Sequence, residues 1–353
     1  MNPRERVTAA LWRKQPDKTP KYAEFTPLVG KALRERTGVE DLPAYFQIES
    51  RSVLYPFYRT AGKGELKEYY SEEMFRQGDH GASFDEWGVL HLPGSLYHFT
   101  KMVHPLESVE SVEGVQTYPF PLPASTSQKE DLKKMVDELH RQELFVMGFA
   151  VQIFEPAWYL RGMENFLVDM IQNPRYAEAL LDAVTRVGCT MARDFADAGV
   201  DLLVTGDDVA MQQSMILSPN VWRSWLKPRL AQVIRAARAV NPEIFLYYHS
   251  DGKVDPIIPE LIEVGVEVLN PVQPECLDPA KVKRKWGDVL SFWGTMGTQT
   301  TFPFGSPEEV RQTVRQRVEE VGKGGGLVLA PTHVIEPDVP LENIIAFFEE
   351  VNS

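Results

Sequence analysis

Residues 201–252 read DLLVTGDDVAMQQSMILSPNVWRSWLKPRLAQVIRAARAVNPEIFLYYHSDG. The run opens on a short apolar stretch, Asp201–Thr205, and closes on another, Ile244–Tyr248. Between them, Pro219–Val240 carries apolar residues at spacings of three and four. That spacing predicts a helix with one buried face, and Ser218-Pro219 supplies an N-cap and a first-turn proline. Two strands joined by such a helix form a parallel crossover unit. The same alternation continues on both sides. Strand-length runs occur at Phe145–Ile153, Val266–Asn270, Val289–Trp293 and Leu327–Ala330, and helical patterns at Lys129–Gln142, Pro174–Ala198, Val254–Val264 and Pro307–Val321. Six or more consecutive units predict an α/β protein, a (β/α)8 TIM barrel, with a doubly wound open sheet as the rival. The first 140 residues are less regular. A helical start at Pro3–Trp12, an extended run at Lys21–Phe25 and aromatic-rich stretches at Tyr55–Tyr58 and Phe84–Leu92 are expected to supply the first strands and N-terminal insertions. One domain over residues 1–353 is the expectation.

Charge narrows the function. Lys and Arg total 37 against 50 Asp and Glu, a net of 37 − 50 = −13. A surface of that sign disfavours nucleic acid and anionic membranes, both of which need clustered cations. The expected partner is a small-molecule substrate. Cys189 and Cys276 are too few for a disulfide framework or a thiolate cage, which fits a reducing cytoplasm. The N-terminal residues carry charges where a signal peptide needs an apolar stretch, and no apolar run reaches the roughly 18 residues that cross a bilayer. A cytoplasmic location is therefore expected. Lys323-Gly324-Gly325-Gly326 precedes a strand, so it reads as a turn, because a phosphate loop follows one.

In a barrel the chemistry gathers at the carboxyl ends of the strands. Those ends deliver Glu155, Asp207 and Asp208, then Tyr248, His249 and Asp251, then Asn270 and Gln273, Trp293 and Gln299, and finally His333. Each has a bland alternative. Asp207 or Asp208 could cap the next segment, and His249 or His333 could be a satisfied buried imidazole. Taken together, His249 and Asp251 are alternate residues of one strand end, so both can face one ion, with His333 completing the set from a later strand. Two imidazoles and a carboxylate leave open positions on zinc or another divalent metal. A polar, metal-free pocket is the competing reading. Asp207, Asp208 and Glu155 are the candidate catalytic carboxylates. Tyr248, Asn270, Gln273, Trp293 and Gln299 are the candidate substrate-binding residues. His80, His91, His98, His104 and His140 show no ligand spacing.

At these residues the chain resembles the uroporphyrinogen decarboxylase superfamily, which includes the decarboxylase of haem biosynthesis and corrinoid-linked, zinc-dependent methyltransferases. The resemblance is carried by Arg4–Leu11 with Gln15–Pro20, by Gly206-Asp207-Asp208, Leu217-Ser218-Pro219, Leu261–Val266 and Asn270–Gln273, and by Trp293-Gly294, Leu329-Ala330-Pro331 and Pro340–Asn343. It implies a single (β/α)8 barrel, often a homodimer.

The departures from the family pattern separate its branches. The true decarboxylases carry an N-terminal arginine clamp for the substrate's carboxylates, and this chain has Thr26-Pro27-Leu28-Val29-Gly30 there. The methyltransferases carry His-x-Cys and a late Cys, where this chain has His249, Asp251 and then Thr332-His333. A carboxylate and an imidazole in place of two thiolates make a bound ion a harder Lewis acid, suited to polarising oxygen. The resemblance therefore implies a methyltransferase acting on a small neutral, methoxylated or aromatic substrate, with a corrinoid on a partner protein. Decarboxylation of a porphyrinogen through an aspartate, without a cofactor, is the alternative, and a non-catalytic carrier of a small aromatic compound is a third reading.

Overall fold

The computed structural model describes residues 1–57, 63–77, 82–96, 99–150 and 152–353. Its strands, in chain order, are β1 (Ser50–Val53), β2 (Ser83–Phe84), β3 (Leu90–Leu96), β4 (Phe99–Val103) and β5 (Phe145–Phe149). These are followed by β6 (Leu202–Gly206), β7 (Phe245–His249), β8 (Val268–Asn270), β9 (Ser291–Met296) and β10 (Leu327–Pro331). β1 and β5 to β10 form one parallel sheet in the order β1-β5-β6-β7-β8-β9-β10. β2, β3 and β4 make a separate antiparallel sheet, inserted between the first two strands of the main one.

The main sheet is strongly curled. Phe145 on β5 and Trp293 on β9 stand four strands apart, which in a flat sheet is about 19 Å at the usual inter-strand spacing. Their rings lie 6.5 Å apart. Inward residues of six strands therefore meet in one cluster: Phe145 and Met147, Leu202 and Val204, Phe245 and Tyr247, Val268, Trp293, Val328 and Ala330. The N-terminal helix, α1 (Pro3–Leu11), closes the amino end of this cluster with Val7 and Leu11, and the Trp12 ring packs 4.9 Å from Phe245. Among the described residues the main sheet has seven strands in place of the expected eight, and two isolated parallel bridges join Lys21 to Leu329 on β10 and Phe25 to Ile335 just beyond it.

Helices cover the outer face. The longest, Pro174–Ala198, matches the expected limits and buries Leu180, Val184 and Phe195 among others. It packs close because Gly148 lacks a side chain: a Cβ there would come within 2.6 Å of the Phe195 ring. The expected helix Pro219–Val240 is two helices, Pro219–Trp225 and Lys227–Arg238, with Pro228 at the start of the second, where its missing amide costs nothing. Val254–Val264 likewise divides into a short 3₁₀ turn and the helix Ile258–Val264. Among the described residues no helix is long and apolar enough to cross a membrane.

The amino ends of the strands are held by paired charges. Arg4 donates twice to Asp201 at 2.7 and 2.9 Å, and His140 contacts the other oxygen of that carboxylate at 3.0 Å. Glu49, buried, takes both the backbone and the ammonium of the fully buried Lys21, at 3.1 and 3.3 Å, with Arg6 at 3.5 Å. Arg238 pairs with Glu267 at 2.6 Å.

Candidate functional site

The opposite end of the sheet has acids without such cations. β6 ends in Gly206-Asp207-Asp208 beside the end of β7. Gly206 has φ 150°, and a Cβ on it would collide with the carbonyl oxygen of His249. The glycine thus lets the two strand ends touch. As a result Asp208 Oδ1 accepts from the Asp251 amide at 2.7 Å and lies 3.5 Å from His249 Nε2. Ligand atoms of Asp208, His249 and Asp251 all fall within 4.8 Å of one another, the one such group of three among the described residues.

His249 is oriented from behind. Its Nδ1 is hydrogen-bonded to Asn270 Oδ1, and Asn270 Nδ2 donates to the Trp293 carbonyl at 2.7 Å. With the amide so fixed, Nδ1 carries a proton and Nε2 faces Asp208, the orientation that metal-ligating histidines adopt. Burial disfavours the imidazolium, but the carboxylates of Asp208 and Asp251 outweigh it and raise the His249 pKa. Asp251 is raised as well, by burial and by Asp208, against the opposing pull of His249 and His333.

Glu155 closes one flank. Its carboxylate accepts from the Asp208 amide at 3.0 Å, from Tyr159 Oη at 2.9 Å and from Gln152. Burial, then the charge of Asp208, pushes this carboxyl up. Several acids share a small volume here, and a proton or a cation relieves that repulsion.

Several sequence expectations change. His333 stands outside the group of three and Asp208 takes its place. His333 instead lies on the wall shared by two cavities, close enough to Asp251 to influence its ionisation. Asp207, expected to be catalytic, is turned inward. One of its oxygens accepts the backbone amides of Ile153, Phe154 and Glu155 at 2.5–3.1 Å, which caps the helix Phe154–Arg161 and sets Glu155 in place. Tyr248 packs on the helix side of the sheet, away from the cavity, because side chains alternate along a strand and His249 takes the inner face. Tyr247, two residues before His249, is the pocket residue. That parity was readable from the placement of His249. Asn270 reaches the cavity but spends its amide on His249 and Trp293, so it positions the imidazole.

The aromatic cavity has a volume of about 350 Å³ and is walled by Tyr22, Phe149, Tyr247 and Trp293, with His249, Gln152 and Glu24 among its polar groups. Gln273 and Gln299 line a neighbouring cavity of about 440 Å³ with Asp251 and His333. Among the described residues no lysine or arginine lines either. Tyr22 and Glu24 escaped sequence reading because Lys21–Phe25 has no strand-end motif to flag it. Of the remaining histidines, His91 pairs with Asp85, His104 with the Tyr159 carbonyl and His140 with Asp201. His80 and His98 lie outside the described residues.

Fold and site together define an α/β protein whose acids and imidazoles gather at the carboxyl ends of a curled parallel sheet, over an aromatic cavity. The chain belongs to the uroporphyrinogen decarboxylase (URO-D) family, whose model matches residues 99–353. It is similar in fold to a methyltransferase from Methanosarcina mazei, with a TM-score of 0.67 at 19% identity, covering 100% of this chain and 98% of that one. A segment of 76 residues is 37% identical to a uroporphyrinogen decarboxylase of Serratia proteamaculans. That match spans 22% of this chain and 21% of the relative's length.

Proposed function

We propose that the chain is a metal-dependent, methyltransferase-like enzyme of the URO-D family that acts on a small substrate. A corrinoid on a partner protein would serve as the methyl carrier. The observation that carries this reading is the convergence of Asp208, His249 and Asp251 within 4.8 Å, with His249 Nε2 turned inward by Asn270. The donor set fits zinc or another divalent ion: two carboxylate oxygens and one imidazole nitrogen, with the Asn270 amide hydrogen-bonded behind the histidine. When bound, such an ion supplies Lewis-acid polarisation of a substrate oxygen.

The chain's own residues do the rest. Asn270 holds the His249 proton on Nδ1. Glu155, with its pKa raised, is placed to hold or pass a proton beside the group, and Tyr159 and Gln152 orient it. The rings of Tyr247 and Trp293 exclude water from the cavity floor. We further take residues 1–353 as one (β/α)8 domain in which residues 21–25 stand in for a strand, a reading supported by their bridges to Leu329 and Ile335 and by α1 beneath the sheet.

The methyltransferase from Methanosarcina mazei supports the reaction class through fold alone. Porphyrinogen decarboxylation is less well supported, because eight substrate carboxylates need cations and among the described residues no lysine or arginine lines either cavity.

Metal analysis of protein purified without chelator tests the proposal. We expect close to one transition-metal ion per chain, and His249→Ala should lower affinity more than about 100-fold, beyond what loss of a supporting residue costs. Protein that carries no metal and takes up none on addition would refute it.

A further inference from the structure

We infer that the aromatic cavity selects a substrate bearing a small alkylated ammonium group. This deepens the reading of that cavity as the substrate pocket and rests on it. Three rings make its walls. Tyr22 and Tyr247 both meet Trp293 edgewise, with centroids 5.4 and 5.9 Å away and planes inclined at 71° and 77°, so the rings enclose a corner from different directions. Phe149 adds a fourth aromatic at the rim.

Glu24 supplies a carboxylate at the same wall. The Tyr22 hydroxyl donates to it, and the bridge of Phe25 to Ile335, together with the bond from the Ile335 amide to the Glu24 carbonyl at 2.9 Å, holds its backbone in register. Among the described residues no lysine or arginine enters the lining to neutralise it, and the chain carries a net −13.

Ring faces are electron-rich, and several of them around a compact cation bind it without the desolvation that a localised ammonium demands. An alkylated ammonium suits such walls because its charge is spread over methyl groups that also bury apolar surface. A neutral ligand of the same shape would gain the burial and forgo the attraction. The cavity volume of about 350 Å³ admits a small ligand.

Calorimetry with choline and with its uncharged carbon isostere, dimethylbutanol, tests the assignment on the full-length protein. Choline should bind about tenfold more tightly, the value of one or two cation–π contacts in a desolvated site. Glu24→Gln, an exposed position whose exchange leaves the fold intact, should weaken choline several-fold and leave dimethylbutanol unchanged. Tyr22→Leu should weaken choline further, with Tyr22→Phe retaining most of the binding. Equal affinity for the two probes, or no binding of choline, overturns the inference. Repeating the titration after chelator treatment separates it from the metal proposal: choline binding that persists in a chain unable to take up metal sinks only the metal proposal, whereas a metal-loaded chain indifferent to charge sinks only this one.

Discussion

The two ends of the parallel sheet handle buried charge in opposite ways. At the amino end each acid that enters the protein meets a cation: Asp201 has Arg4 and His140, Glu49 has Lys21 and Arg6, and Glu267 has Arg238. At the carboxyl end Asp208 and Asp251 crowd His249, with Glu155 and Asp207 behind them and His333 acting on Asp251, and burial raises the carboxyls of Glu155, Asp207 and Asp251. Complete pairing suits an end that only has to hold. Unbalanced acid is costly in a buried place, and it persists where a cation or a proton completes it.

Substitutions can break that contrast. The largest effect should come from Lys21→Met, which removes the nearer cation from Glu49 and leaves it the Lys21 backbone amide and the longer contact to Arg6. Removing one partner of a buried pair costs about 3 kcal/mol, readable in denaturant unfolding, and the metal affinity should not move. At the other end Asn270→Ala should leave stability within about 1 kcal/mol but lower metal affinity by roughly ten- to 100-fold, since it frees the imidazole to rotate. His333→Ala should change metal affinity less than about tenfold, because it neighbours the group without joining it; an effect as large as that of His249→Ala would restore His333 as a ligand.

The smallest effect concerns acid. The Arg6 guanidinium holds the Asp17 carboxyl well below its usual range. A depressed carboxyl contributes fully above the unfolded value near pH 4 and loses that contribution as the pH falls through the folded value. Arg6→Leu should therefore flatten the stability profile below about pH 4, where the carboxyl of the unfolded chain takes up its proton, and an unchanged acid transition would show that the pair is too exposed to matter.

Much of this was legible beforehand. The alternation from Phe145 onward predicts the six strands β5 to β10 and the helices that begin at Pro174 and Pro307 to within a few residues, because a strand and a helix that both bury one face leave periods that cannot be confused over such lengths. Pro228 inside an apolar pattern hid the break between two helices, since the pattern continues in phase across it. Gly206-Asp207-Asp208 and His249-Ser250-Asp251 were correctly marked as strand ends, yet the sequence could not say which aspartate of the first pair faces inward.

By itself, then, the sequence determined the α/β class, the strand ends that carry acids and imidazoles, and the family. These depend on local periodicity and on motifs contiguous in the chain. Only the tertiary structure decided that Asp208 rather than His333 joins His249 and Asp251, that Asp207 caps a helix, and that Tyr22 and Glu24 share a wall with Trp293. Those outcomes depend on the lateral distance between strands in a curled sheet and on the direction each side chain takes at its end, and neither quantity is written into residue spacing.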